Sequence, residues 1–250
     1  MHESMTQVRG DVVCQHLYCK ACQTVFRHIS QKADFLRLEC VRCLFAGSDF
    51  FRLEEIFLAD LSFNVDGRGT GGREKAFQSV VYQKLGKYES IDQIAAAKYM
   101  ASLPYVDAKH IGIWGWSYGG YEALIAMSTP GSDYAAGVAI APVTSWRFYD
   151  TIYAERYMRT PQENPDGYRD GAPLENTDKL KGKLLIMWGS ADDNVHVINS
   201  MQYISKLHGQ GNQFDMMIYT NMNHSINGCG VRLPLYQRVL NFFKANLQQK

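Results

Sequence analysis

Residues 110–127 read HIGIWGWSYGGYEALIAM, and the six at the centre, Gly115-Trp116-Ser117-Tyr118-Gly119-Gly120, decide the fold. An apolar run of strand length leads straight into a serine set among glycines, and a helix-forming run follows. Gly115-x-Ser117-x-Gly119 is the pattern of a nucleophile elbow, in which small flanking residues tolerate a tight strand-to-helix turn that exposes the serine hydroxyl. The helix N-terminus beginning there adds partial positive charge and N–H groups with no partner inside the helix, both suited to a developing oxyanion. The backbone N–H of Tyr118 is the first such donor.

Outward from the elbow, strands and helices alternate. SFNV, ending before Asp66, reads as a short strand. A helix is predicted from about Ser90 to Ser102, with Ile91, Ile94, Ala95, Met100 and Leu103 near helical spacing and Pro104 as its stop. The elbow strand and a helix from Tyr118 to about Met127 follow, then strand AGVAIAP (136–142). An irregular or helical section carries SWRFYDTIYAERYM (145–158). KLLIMWG (183–189) reads as a buried strand, VHVINSMQYISKLHG (195–209) as a helix, and QFDMMIYT (213–220) as a strand. An amphipathic helix, with Leu235, Val239, Leu240, Phe243 and Leu247 along one side, closes the chain.

Short apolar strands alternating with helices imply an α/β fold with a mostly parallel sheet covered on both faces, here an α/β-hydrolase fold. Residues 61–250 form its expected catalytic domain. Residues 1–60 lack that rhythm and form an atypical N-terminal segment; the run from Arg37 to Leu61 is compatible with helix, but its apolar residues are spread without one face. Five strands are visible, so the N-terminal part of the sheet is expected to be incomplete. An open sheet edge of that kind favours self-association.

In such sheets, reacting groups gather at the carboxyl ends of strands. Asp192, in GSADDNV, follows KLLIMWG, and His224, in NMNHSING, follows QFDMMIYT. Ser117, Asp192 and His224 therefore occur in the chain order of an α/β-hydrolase triad, each after its own strand. His224 is the expected base, and Asp192 the carboxylate that orients it.

Composition narrows the function further. With 46% apolar and 20% charged residues the chain has the balance of a folded globular protein. A formal net charge of +1 gives no field to attract nucleic acid. No apolar run reaches the ~20 residues of a membrane span. MHESMTQVRG lacks the apolar core of a signal peptide. The sequence thus points either to a cytoplasmic protein or to one read from after its true beginning, whose parent would be periplasmic or in the cell envelope. No cofactor or metal is expected.

GWSYGGY, APVTSWRFYDTIYAERYM, GSADDNVH and DGRGTGG resemble the catalytic domain of the prolyl oligopeptidase family of serine peptidases, in its dipeptidyl peptidase IV branch. The resemblance begins at about Phe63 and implies cleavage of peptides after a penultimate proline or alanine through an acyl-enzyme. It implies a nucleophile at Ser117, an acid at Asp192 and a base at His224. It also implies a proline pocket of Tyr118, Val143, Trp146, Tyr149, Tyr153 and Val195, whose aromatic walls suit a flat pyrrolidine ring. Asn194 resembles the family residue that bonds a substrate carbonyl, and Arg156 the one that orders the polar network facing the substrate. Two family features have no counterpart in residues 1–60. One is the tyrosine loop that supplies a second oxyanion donor, and the other is the β-propeller with its paired glutamates. An esterase-only or catalytically silent fragment is therefore the alternative.

Two other patterns compete. Cys19-x-x-Cys22 and Cys40-x-x-Cys43 have the spacing of a four-thiolate zinc site. Neither pair is followed by the glycine that lets a zinc knuckle turn, and no hairpin pattern lies between them. Gly67-x-Gly69-x-x-Gly72 matches a dinucleotide fingerprint, which requires a helix opening at those glycines and an acid ending the next strand. The next acids, Glu89 and Asp92, lie at a helix start instead, so Asp66 and Arg68 are expected to hold a loop framing the hydrolase site.

Overall fold

The computed structural model describes the backbone of residues 36–39, and residues 62–72, 74–228 and 230–247. The chain divides into two units, Met1–Asp66 and Gly67–Lys250. In the first, strand β1 (Leu36–Glu39) pairs antiparallel with β2 (Ser62–Val65). SFNV is thus the expected strand, but it belongs to a two-stranded sheet of its own and not to the parallel one. The ambiguous 37–61 run thus opens extended and not helical, at Arg37–Glu39. The paired cysteines lie outside the described residues.

The second unit carries the parallel sheet. Helices α1 (Lys75–Ser79) and α2 (Lys87–Ala101) precede β3 (Gly112–Trp116), which runs into α3 (Tyr118–Ser128). β4 (Ala136–Ile140) leads to a 3-10 turn at Trp146–Phe148, then α4 (Thr151–Met158) and α5 (Pro165–Asp170). β5 (Lys183–Gly189), α6 (Ile198–Gly209), β6 (Asp215–Tyr219) and α7 (Arg232–Leu247) complete it. The four strands lie in the order β3-β4-β5-β6, all parallel, with Ile140 opposite Met187 and Gly189 opposite Tyr219. β5 has the limits its apolar run predicts.

Strand side chains alternate between faces, and each face has its own core. Leu184, Ile186 and Trp188 pack with Leu124 and Met127 of α3 and with Tyr203, Ile204 and Leu207 of α6. Leu185 and Met187 pack on the other side with Leu235, Val239 and Phe242 of α7. Burial on both faces explains why β4 and β5 read as continuous apolar runs and not as alternating ones. A parallel sheet with helices on both faces is the α/β-hydrolase arrangement, and it places the ends of β3, β5 and β6 along one rim.

Candidate active site

Ser117 stands between β3 and α3 at φ 60° and ψ −117°, one of few non-glycine residues here with positive φ. Holding a serine in that region costs ~1–3 kcal/mol and persists only where the surroundings enforce it. The enforcement is visible. The Ser117 N–H donates to the Ile140 carbonyl of β4 at 2.8 Å, and the Ser117 carbonyl accepts from Tyr121 N–H at 3.0 Å. Gly115 is so close to Gly119 that a Cβ on it would overlap the Gly119 backbone, whereas a Cβ on Gly119 would meet nothing within 4 Å. The two glycines of the motif thus do different things: one closes the turn, and the other leaves space above it.

The loops after β5 and β6 bring the acid and the imidazole together. His224 Nδ1 lies 2.9 Å from Asp192 Oδ2 and 3.1 Å from Oδ1. The Asp192 side chain is fully buried and that of His224 is 17% exposed. Asp192 Oδ1 also accepts the backbone N–H groups of Asn194 (3.0 Å) and Val195 (2.9 Å), so the carboxylate cannot swing away from the ring. With Nδ1 donating to the carboxylate, Nε2 is the nitrogen left as acceptor. Among the described residues Ser117 Oγ makes no hydrogen bond. Catalytic hydrogen bonds are often long or poorly aligned before substrate binds and tighten only in the complex.

A contact that sequence reasoning missed ties the two halves of the site together. The Trp116 indole N–H donates to the His224 carbonyl at 3.0 Å, linking the histidine loop to the residue just before the nucleophile. The Arg232 guanidinium sits 4.7 Å above the Trp116 ring. No periodicity announces such a bond, since Trp116 and His224 lie 108 residues apart.

The six residues expected to form the pocket fall in one cluster. Val143, Trp146 and Val195 are buried, and the partly buried Tyr118, Tyr149 and Tyr153 pack against this cluster. Trp146 is the hub. Its ring stacks on Tyr153 at 5.8 Å and lies 6.0 Å from Tyr149, 5.7 Å from Tyr118 and 5.0 Å from Tyr121. The Tyr149 hydroxyl donates to Asn194 Oδ1 at 2.6 Å, which joins the aromatic wall to the Asp192 loop. Asn194 is exposed, as a residue facing a ligand would be. Arg156 is also exposed, and no hydrogen bond or ion pair ties it to another described residue.

Asp92 and Arg68 hold the start of α2. Arg68 Nη2 lies 2.6 Å from Asp92 Oδ1, Nε lies 3.0 Å from Oδ2, and the Arg68 N–H adds a bond of 2.7 Å to Oδ2. The pair holds the Asp92 carboxyl below its usual range, against the opposing effect of burial. The Arg68 guanidinium covers the Tyr88 ring at 4.6 Å. The glycine-rich stretch is therefore a clasp on α2, and no long helix opens at its glycines: α1 begins only at Lys75.

Comparison with known proteins agrees with this architecture. The model of the prolyl oligopeptidase family matches residues 51–250. A relative described as a probable dipeptidyl-aminopeptidase B, from Paracoccidioides brasiliensis, is 46% identical over 179 residues. Those residues are 70% of this chain and 20% of that protein. One of the same description from Ajellomyces capsulatus is 43% identical over 197 residues, 77% of this chain and 21% of that protein. The crystal structure of Porphyromonas gingivalis dipeptidyl peptidase 4 superposes with a TM-score of 0.74 at 50% identity. That match covers 75% of this chain and 27% of the solved one. The chain thus spans about a fifth of the length of its curated relatives. On the family match and the shared α/β-hydrolase fold, the chain belongs to the prolyl oligopeptidase family of peptidases.

Proposed function

We propose that residues 61–250 form the catalytic domain of a serine peptidase that cleaves peptide bonds after proline or alanine and releases N-terminal dipeptides. The observation that carries this is the 2.9 Å pairing of His224 with a buried Asp192, tied through Trp116 to a strained serine. Ser117 Oγ attacks the carbonyl carbon of the scissile bond while His224 Nε2 takes the hydroxyl proton. Asp192 keeps Nδ1 protonated and stabilises the imidazolium. The oxyanion of the tetrahedral intermediate receives the N–H of Tyr118 at the start of α3, with the helix dipole behind it. The imidazolium then protonates the departing amine as the C–N bond breaks, leaving an ester on Ser117. Water, deprotonated by His224, breaks that ester in a second cycle and restores the serine.

The substrate residue before the cut would sit among Tyr118, Val143, Trp146, Tyr149, Tyr153 and Val195. Asn194 and Arg156 would face its polar groups. The names of the relatives, dipeptidyl-aminopeptidase and dipeptidyl peptidase, support the dipeptide product. Labelling with a fluorophosphonate tests the mechanism: modification at Ser117 is expected, and its loss in His224→Ala. Folded chain that takes up no label would overturn it and favour the silent-fragment alternative. Hydrolysis of acyl esters without hydrolysis of Gly-Pro amides would instead restrict the chain to esterase chemistry.

A further inference from the structure

The Tyr118 hydroxyl, one residue past the nucleophile, donates to Glu89 Oε1 on α2 at 3.0 Å. Tyr118 contributes twice to the site, through its N–H at the oxyanion and its ring in the pocket wall. Its aromatic neighbours are Tyr121 at 5.3 Å, edge-on, and Trp146 at 5.7 Å, tilted. Contacts of this kind are soft in angle. The hydroxyl bond fixes the far end of the ring, and its acceptor is itself anchored. Glu89 lies in the first turn of α2, which opens at left-handed Gly86 and is held one turn later by the Asp92–Arg68 pair.

We propose that Glu89 is a positioning residue for the substrate pocket, which fixes the Tyr118 ring and thereby sets the preference for proline at the cleaved bond. The inference rests on the peptidase function proposed above. The surroundings of Glu89 say which property of it matters. Glu89 Oε2, both carboxyl oxygens of Glu122 on α3 and the Tyr121 hydroxyl are buried without a hydrogen-bond partner among the described residues. Ionised carboxylates left this way would be costly. Burial pushes both carboxyls above the usual range, Glu122 far more, and the field of Glu89 reinforces this at Glu122. What Tyr118 requires of Glu89 is an acceptor oxygen at this position. An amide can replace that oxygen, and a hydrocarbon cannot.

The test compares two probes of Ser117 on the full chain, an alkyl fluorophosphonate and a dipeptidyl phosphonate ending in proline. Labelling rates are measured for the parent, Glu89→Gln, Glu89→Leu, Tyr118→Phe and the Glu89→Leu/Tyr118→Phe pair. Glu89→Leu and Tyr118→Phe are expected to lower the prolyl-to-alkyl rate ratio by roughly three- to tenfold, the effect of one hydrogen bond. Glu89→Gln should keep the parent ratio, and the double variant should lose no more than either single one. An unchanged ratio in Glu89→Leu, a Glu89→Gln as impaired as Glu89→Leu, or losses that add would overturn the inference. Should Glu89→Leu not fold, an unchanged ratio in Tyr118→Phe would overturn it equally. A parent labelled by neither probe would bring down the peptidase function and this inference together, whereas labelling with a fixed ratio removes only the inference.

Discussion

Replacing Gly115 with alanine tests whether the elbow is held by steric closure. The new Cβ would overlap the Gly119 carbonyl group and stand 2.7 Å from Gly119 Cα. Carbon atoms in contact prefer about 3.5–4.0 Å, so roughly 1 Å or more of overlap must be relieved. The obstacle is backbone on the opposite arm of the turn, and no rotamer change can remove it. Overpacking in a tight core costs about 1–3 kcal/mol, and a backbone collision belongs at the upper end. About 3 kcal/mol is a large part of a stability of ~5–15 kcal/mol. For a unit of this size each kcal/mol moves the melting temperature by about 2–4 °C, so Gly115→Ala should melt roughly 6–12 °C lower. Gly119→Ala is the control. Its Cβ meets nothing within 4 Å, and it lies in α3, where alanine is favoured over glycine by up to ~1 kcal/mol. It should melt at or slightly above the parent. Thermal melts followed by circular dichroism, with urea midpoints as a check on the slope, measure both. A Gly115→Ala melt within about 2 °C of the parent, or an equal fall in Gly119→Ala, would refute steric closure.

Three further outcomes are expected. Trp146→Ala, at a side chain only 1% exposed and touching four other rings, should cost about 3–5 kcal/mol in urea unfolding. Asp192→Asn should leave the melting curve close to the parent but slow Ser117 labelling by up to ~10⁴-fold, because an amide no longer selects the tautomer with Nε2 free. Glu122 holds its proton more tightly folded than unfolded, its carboxyl lying well above the ordinary 4.5. Stability must then fall as pH rises from about 4.5 towards the folded value. Glu122→Gln should flatten that fall, which urea midpoints between about pH 5 and 8 would show, and an identical slope in the two proteins would exclude Glu122 as its source.

How much of this was legible follows from what each feature leaves in the sequence. β5 and α3 were readable because burial on both faces of a strand, and a glycine-framed serine before a helix, each leave a contiguous mark. That Asp192 and His224 meet was readable because each follows a strand, and a parallel sheet carries all strand ends to one rim. β2 was read correctly as a strand but placed in the wrong sheet. Four residues, SFNV, carry no record of their partner, and that partner, Leu36–Glu39, opens a run whose apolar residues mark no one face. Glu89 was seen only as an acid at a helix start, because a bond from Tyr118 across 29 residues has no period to betray it. Glu122 did leave a signal that could have been used. It is the one charged residue in YGGYEALIAMS, a helix otherwise buried almost throughout, and a lone acid in such a helix must be neutral, paired or functional. The elements that build the sheet are thus written locally. The contacts that tune the site join α2 to α3 and β3 to the histidine loop, and only folding makes those residues neighbours.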